Sequence, residues 1–248
     1  EQMTEDVTAI VLDNNYMQAQ AIGLMSYQAP RRNFEYSHLM SVLEDQGRLD
    51  RQLEFLPSDD EMQERRAKGR YFTPPEIAIL TSYVKSGLKE QLAASSIMDE
   101  PYLVRELYDA FPAVLVKKYP HELQQHRLRR EIIATQVTNR MVNHMGMSFV
   151  ERMAESTGVS SAVIAKAYVG ARDIFNFEQR WDELSALDHV VNHQLQKSMM
   201  MDVNRLIRRV TRWLIRNRRR SLELSQEVPV FSKALHLLFA RWDQLLMG

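Results

Sequence analysis

Apolar side chains recur along this chain at intervals of three and four, and sustained apolar/polar alternation is absent. That period predicts helices throughout and no significant sheet. Thr4 caps a first helix reaching about residue 28, with Val7, Ile10, Val11, Met17, Ala21 and Leu24 broadly on one side. A second, over 33–47, carries Leu39, Val42 and Leu43 and stops near Gly47. Helices over 58–69 and 74–94 follow, and a fifth opens at Pro101 and ends at Pro112. A long helix is expected over 121–145, closed by Gly146, then three shorter ones over 148–157, 160–176 and 178–187. Another long one covers 189–217, and Pro229 opens the last. The fold class expected is all-α, a bundle of roughly ten to eleven helices.

The sharpest local signals lie between residues 49 and 76. Ser58 and Glu61 have capping-box spacing, in which the hydroxyl accepts from one free amide and the carboxylate reaches back to another. Thr73 and Glu76 repeat the device, with Pro74 at the first helical position, where a missing N–H costs nothing. Gly69 stands where the intervening helix must stop. Two prolines and two lysines interrupt the pattern over 112–120 and mark the best internal seam, a place where two helical layers pack. No fixed period repeats, which argues against a helical solenoid, and linker-like tracts are missing, so residues 1–248 are read as one helical domain.

Between Ile132 and Val150 the one charged side chain is Arg140. A helix apolar on more than half its circumference must be enclosed on most sides. Residues 121–145 are therefore expected to form the most enclosed element, with Ile132, Ile133, Val137 and Met141 in the core. Asn139, Asn143 and His144 are expected to bond to neighbouring helices and not to form a site.

Composition narrows the function classes. Thirty-two basic and thirty-two acidic residues cancel, so no overall field favours nucleic acid or a membrane surface. Cysteine is absent, which excludes a disulfide scaffold and a thiolate metal site and fits a reducing compartment such as the cytoplasm. Apolar runs such as Ala113-Val114-Leu115-Val116 fall far short of a membrane span. The opening Glu-Gln-Met-Thr-Glu-Asp does not read as a signal peptide, and a first residue other than Met is what a piece cut from a longer chain would show.

Arginine forms the most conspicuous cluster. Arg205, Arg208, Arg209, Arg212, Arg216, Arg219 and Arg220 fall within ~120° of a helical wheel, opposite Val203, Leu206, Ile207, Val210 and Leu214. Such a stripe could follow a phosphate backbone, but no aromatic residues are interleaved to stack on bases. Pairing with carboxylates or contact with another domain is the reading preferred, and Asp59, Asp60, Glu61 and Glu64 are an acidic group of the right kind. An adaptor that binds an acidic partner or nucleic acid through this face is the alternative. His189 and His193 have the spacing of a metal pair but lack the glutamate of a zinc hydrolase. Glu35-Tyr36-Ser37-His38 is a single Glu-x-x-His where a di-iron bundle needs two. Met199-Met200-Met201 reads as core filler plus one exposed residue. No metal site, catalytic residue or cofactor site is therefore expected within this stretch.

Several ordered stretches resemble one family across nearly the whole chain. They are the capped region over 49–76, Asp13-Asn14-Asn15-Tyr16-Met17-Gln18, Glu64-Arg65-Arg66-Ala67, and His126-Arg127-Leu128-Arg129-Arg130-Glu131-Ile132-Ile133-Ala134-Thr135. Met145-Gly146-Met147-Ser148-Phe149-Val150, Arg208-Arg209, Thr211-Arg212-Trp213 and Asn217-Arg218-Arg219 continue the series. Together they are similar to the C-terminal region of the large bacterial NAD-dependent glutamate dehydrogenases. One departure is Thr73-Pro74-Pro75-Glu76, where an arginine is more usual before the second proline; the capping chemistry survives it. The resemblance implies a C-terminal helical domain of a longer parent that oxidises L-glutamate to 2-oxoglutarate and ammonia, passing hydride to NAD. That chemistry needs a glycine-rich turn after a strand, and the chain has no Gly-x-Gly-x-x-Gly. NAD is thus expected in the parent and no cofactor here. The expected partners are the catalytic domain of the same parent chain and other subunits of an oligomer.

Overall fold

A computed structural model describes residues 2–218 and 222–241. Among them there is no strand, and twelve α-helices succeed one another. They are α1 (Gln2–Asp45), α2 (Asp59–Ala67), α3 (Pro74–Ala93), α4 (Val104–Tyr108), α5 (Ala113–Lys118), α6 (Pro120–Gln124) and α7 (Arg129–Met145). Then come α8 (Phe149–Thr157), α9 (Ser161–Ile174), α10 (Phe177–Ser185), α11 (His193–Arg218) and α12 (Leu224–Ala240). The class is all-α. Contacts divide the chain into two compact units, Glu1–Arg152 and Met153–Gly248, with the division inside α8. The stretch over 112–120 lies in the first unit, where it forms α5 and the turn into α6.

The first unit is built on α1, α3 and α7, which pack against one another. Where two helices were expected on either side of Pro30, α1 is a single helix with that proline inside it. The hydroxyl of Tyr36 nevertheless donates to the carbonyl of Met25 at 3.2 Å. Eleven residues of straight helix would separate the two by about 16 Å along the axis, more than a tyrosine side chain spans. The helix therefore bends at Pro30, whose ring crowds the preceding turn and whose missing N–H leaves a carbonyl unpaired. Ser26, bonding back to the Ile22 carbonyl at 2.7 Å, acts in the same place. Past the bend, Tyr36, Leu39, Met40 and Leu43 join Ile77 and Leu80 of α3 and Met147 in one apolar cluster. Burial pushes the Tyr36 phenol well up from its ordinary pKa.

Both expected helix starts are present. Ser58 Oγ accepts from the Glu61 amide at 3.2 Å, while the Glu61 carboxylate accepts from the Ser58 amide at 2.8 Å. That second bond holds the Glu61 carboxyl below its usual range. Glu76 accepts from the Thr73 amide at 2.8 Å, and its other oxygen takes Arg65 at 2.7 Å, so one carboxylate starts α3 and ties α2 to it. Gly69 ends the preceding segment at φ +67°, a conformation that side chains resist.

The helix expected over 121–145 is divided. Its first part belongs to α6, and the chain turns where the His126 ring accepts from the Leu128 amide at 3.1 Å. From Arg129 onward the expected core helix is present. Ile133, Ala134, Val137 and Met141 of α7 have no exposed surface, whereas Ile132 is half-exposed. Arg130 donates to the carbonyls of Ala93 and Ser95 at 3.1 and 2.8 Å, satisfying groups that the end of α3 leaves open. Arg140 pairs with Glu106, itself fully buried, and with Asp109 at 2.9 Å, clamping α4 to α7.

The second unit is arranged around α9, which packs against α10, α11 and α12. Ala165, Ala167, Tyr168, Val169 and Ala171 are fully enclosed. At Gly170 a Cβ would stand 3.1 Å from Leu224, so the absence of a side chain lets α12 approach closely. Arg172, also fully buried, is balanced by Asp173 at 2.7 Å and Glu178 at 3.3 Å. The last helix begins at Leu224, one turn earlier than its proline suggested, and Pro229 lies inside it. Pro229 is the sixth residue of the helix, past the free amides of its first turn, so it forgoes one i→i−4 bond, and α12 continues through it while packed against α9.

Candidate functional site

The arginine stripe lies on α11, except Arg219 and Arg220, which fall outside the described residues. The buried side of α11 is formed by Met200, Asn204, Ile207, Thr211 and Leu214. This side is rotated from the expected one: Leu206 is exposed, Trp213 is 46% exposed, and the polar Asn204 and Thr211 are inside. Thr211 bonds to the Ile207 carbonyl at 2.8 Å, which makes a hydroxyl acceptable there. Arg205, Arg209 and Arg216 are exposed, and Arg208 and Arg212 are half-buried. Arg205 pairs with Asp202 at 2.8 Å, one turn back on the same helix, and Arg212 donates to Ser156 at 3.3 Å. The acidic group considered as a partner is engaged within its own unit. Asp59 takes Arg51 at 2.7 Å, Glu61 caps α2, and Glu64 takes Lys68.

Beside the stripe, α11 and α12 enclose an open apolar groove of about 430 Å³ with the end of α9. Val210, Trp213, Phe231, Leu235 and Leu238 line it, Trp213 and Phe231 meeting edge to face at 5.9 Å between ring centres. Ser232 anchors α12 by donating to the Ile174 carbonyl at 3.4 Å. Also on α12, Val230, Leu237 and Phe239 are exposed. A signal for this groove is present in the sequence. The residues over 228–240 are apolar around most of the helix, which calls for enclosure on most sides, and the described residues enclose one.

The beginning of α1 is a second exposed apolar surface, apart from isolated side chains such as Leu53, Phe55 and Val190. Val7, Val11, Leu12 and Tyr16 are exposed, Val11 at 50% and Leu12 at 63%. Leu24, grouped with Ile10 and Val11 in the sequence pattern, is instead inside the core at 4% exposure, because the helix meets its neighbours from Ala21 onward.

The remaining polar candidates are dispersed over both units. Asn143 accepts from Lys85 at 2.7 Å, and His144 is buried; Asn139 is half-buried. Burial between α3 and α7 pushes the Lys85 amine down to about 8. His189 precedes α11 at φ +62°, so it shares no helix with His193. Glu35 is held by Arg32 at 3.1 Å and by Arg152 at 3.0 Å. Met200 is buried between the exposed Met199 and the half-buried Met201. Among the described residues no group of three or more His, Cys, Asp or Glu side chains is placed to hold a metal, and no helix is long and apolar enough to cross a membrane.

Over 246 residues the chain is 44% identical to the NAD-specific glutamate dehydrogenase of Pseudomonas aeruginosa, covering 99% of this chain and 15% of that protein. It is 45% identical over 216 residues to the protein of the same name from Halomonas elongata, covering 87% and 13%. Against the one from Mycobacterium tuberculosis it is 31% identical over 248 residues, covering 100% and 15%. The chain thus spans about 15% of the length of the curated relatives it matches. Residues 69–248 match the model of the family described as glutamate dehydrogenase, C-terminal, and the chain belongs to that family.

Proposed function

We propose that this chain is the C-terminal helical part of a longer NAD-linked glutamate dehydrogenase, one that oxidises L-glutamate to 2-oxoglutarate and ammonia while reducing NAD. In this reading the helical part holds no reaction centre, and the dinucleotide fold and the groups that bind substrate lie elsewhere in the parent. Its own role is to pack on the catalytic unit or on a neighbouring subunit.

The observation that carries the packing role is the contrast between the interior and two surfaces. The cores of both units are closed, yet the start of α1 and the α11–α12 groove leave valine, leucine, phenylalanine and tryptophan side chains in water. Apolar patches of this kind mark surfaces that a partner covers. The exposed arginines beside the groove suit the rim of such a contact, where charge steers association more than it adds affinity.

The assay is direct. The isolated chain, mixed with L-glutamate and NAD, should form no NADH and should show no saturable NAD binding, while the parent does both. Turnover by the isolated chain would overturn the proposal.

A further inference from the structure

The two uncovered surfaces carry opposite charge. From Met3 to Gln20 no side chain of α1 is buried. The charged residues of that stretch are Glu5, Asp6 and Asp13, and the first basic residue of the chain is Arg31. This arm continues a helix nucleated by its packed part but gains nothing from packing of its own, whereas most helical stability in proteins comes from a buried face. At ~100° per residue Met3, Val7 and Ile10 form one apolar stripe, and Asp6 and Asp13 run along a single edge of it.

The groove has the matching character. Arg209 and Arg216 stand exposed one turn to either side of Trp213 along α11. Lys233 and Arg241 are exposed on and just after α12. The guanidinium groups of Arg218 and Arg180 sit over the rings of Phe231 and Phe239 at 5.8 and 5.7 Å. Glu227, one turn before Phe231, pairs with Arg218 at 3.8 Å. The groove floor along α12 runs from Phe231 to Leu238, seven helical steps or about 10 Å. The stripe from Met3 to Ile10 covers the same seven steps, the anchor spacing of a helix laid in a groove.

We infer that, in the assembled parent, residues 3–20 of one copy lie in the α11–α12 groove of a second copy, acidic edge against basic rim. This deepens the packing role proposed above and rests on it, naming the partner as a second copy of this chain. A reciprocal exchange covers both surfaces of every copy in one step and closes on itself, as symmetric assemblies do. A foreign partner would have to supply two unrelated complements.

The test uses the full-length parent. Two tagged forms are co-expressed, one with p-benzoylphenylalanine in place of Val11, and the assembly is irradiated and mapped by peptide mass spectrometry. The expected adduct joins the probe chain to the other tagged chain, within 209–218 or 231–241. An adduct confined to the probe chain, one on the catalytic part of either chain, or none would overturn the assignment. An adduct on the catalytic part would leave the packing role standing. Charge reversal supplies the second arm. Asp6→Arg with Asp13→Arg should lower adduct yield several-fold, and Arg209→Glu with Arg216→Glu in the partner should restore it. Yield unchanged by the first pair, or unrestored by the second, would also overturn it.

Discussion

Ile132 and Ile133 are adjacent in sequence and differ in environment. Ile133 is wholly enclosed by the α1–α3–α7 layer, while Ile132 keeps part of its surface in water. Ile133→Ala should therefore cost about 2–5 kcal/mol in denaturant unfolding, and Ile132→Ala distinctly less. Equal losses at the two positions would contradict the register of α7. Lys85 gives a residue-scale test with a defined sign. Its amine is pushed down to about 8 from 10.5, so between those pH values the unfolded chain keeps a proton that the folded one has released. Stability rises with pH wherever the unfolded state binds more protons. Lys85→Met should accordingly gain on the parent sequence at neutral pH, and that lead should shrink as pH climbs through 8 to 10.5. A difference that stays flat with pH would contradict the burial of the amine. The sequence announced the enclosure of α7 because an uncharged stretch that long has few alternatives. It could not announce Lys85, because a lysine is drawn under by its neighbours and not by its own period.

At the scale of elements, local chemistry was legible and long-range geometry was not. The two helix starts and the Gly69 stop could be read because each depends on residues three or four apart. Ser58→Ala should cost about 1 kcal/mol by removing the hydroxyl half of the α2 cap. Two prolines lie inside helices and do not bound them. Pro30 bends α1 without ending it, and Pro229 lies within α12, because packing on either side supplies what the lost amide does not. The division between α6 and α7 is not legible in the sequence, since the His126 ring that captures the Leu128 amide has no signature in an apolar period. The clamp of Arg140 on Glu106 and Asp109 joins α7 to α4 across more than thirty residues, and only the folded chain shows it. Arg140→Met would take the arginine partner from the buried Glu106 carboxylate, and a loss of roughly 3–5 kcal/mol is expected, checked by urea titration.

At the scale of the whole molecule, the all-α class and the family were both legible, the first from periodicity and the second from ordered residue matches. The arginine stripe was legible as a stripe, but its surroundings were not. A wheel places arginines opposite apolar residues, yet cannot say that Asn204 and Thr211 are inside while Trp213 faces an open groove. The packing role rests on that groove and on the start of α1. Hydrogen–deuterium exchange, compared residue by residue between the isolated chain and the proposed full-length parent, tests it most directly. The account predicts that α7 and α9 are protected alike in both, and that 3–20 and 231–241 are protected strongly only in the parent. Fast exchange of those two segments in both proteins, with α7 and α9 still protected, would contradict it.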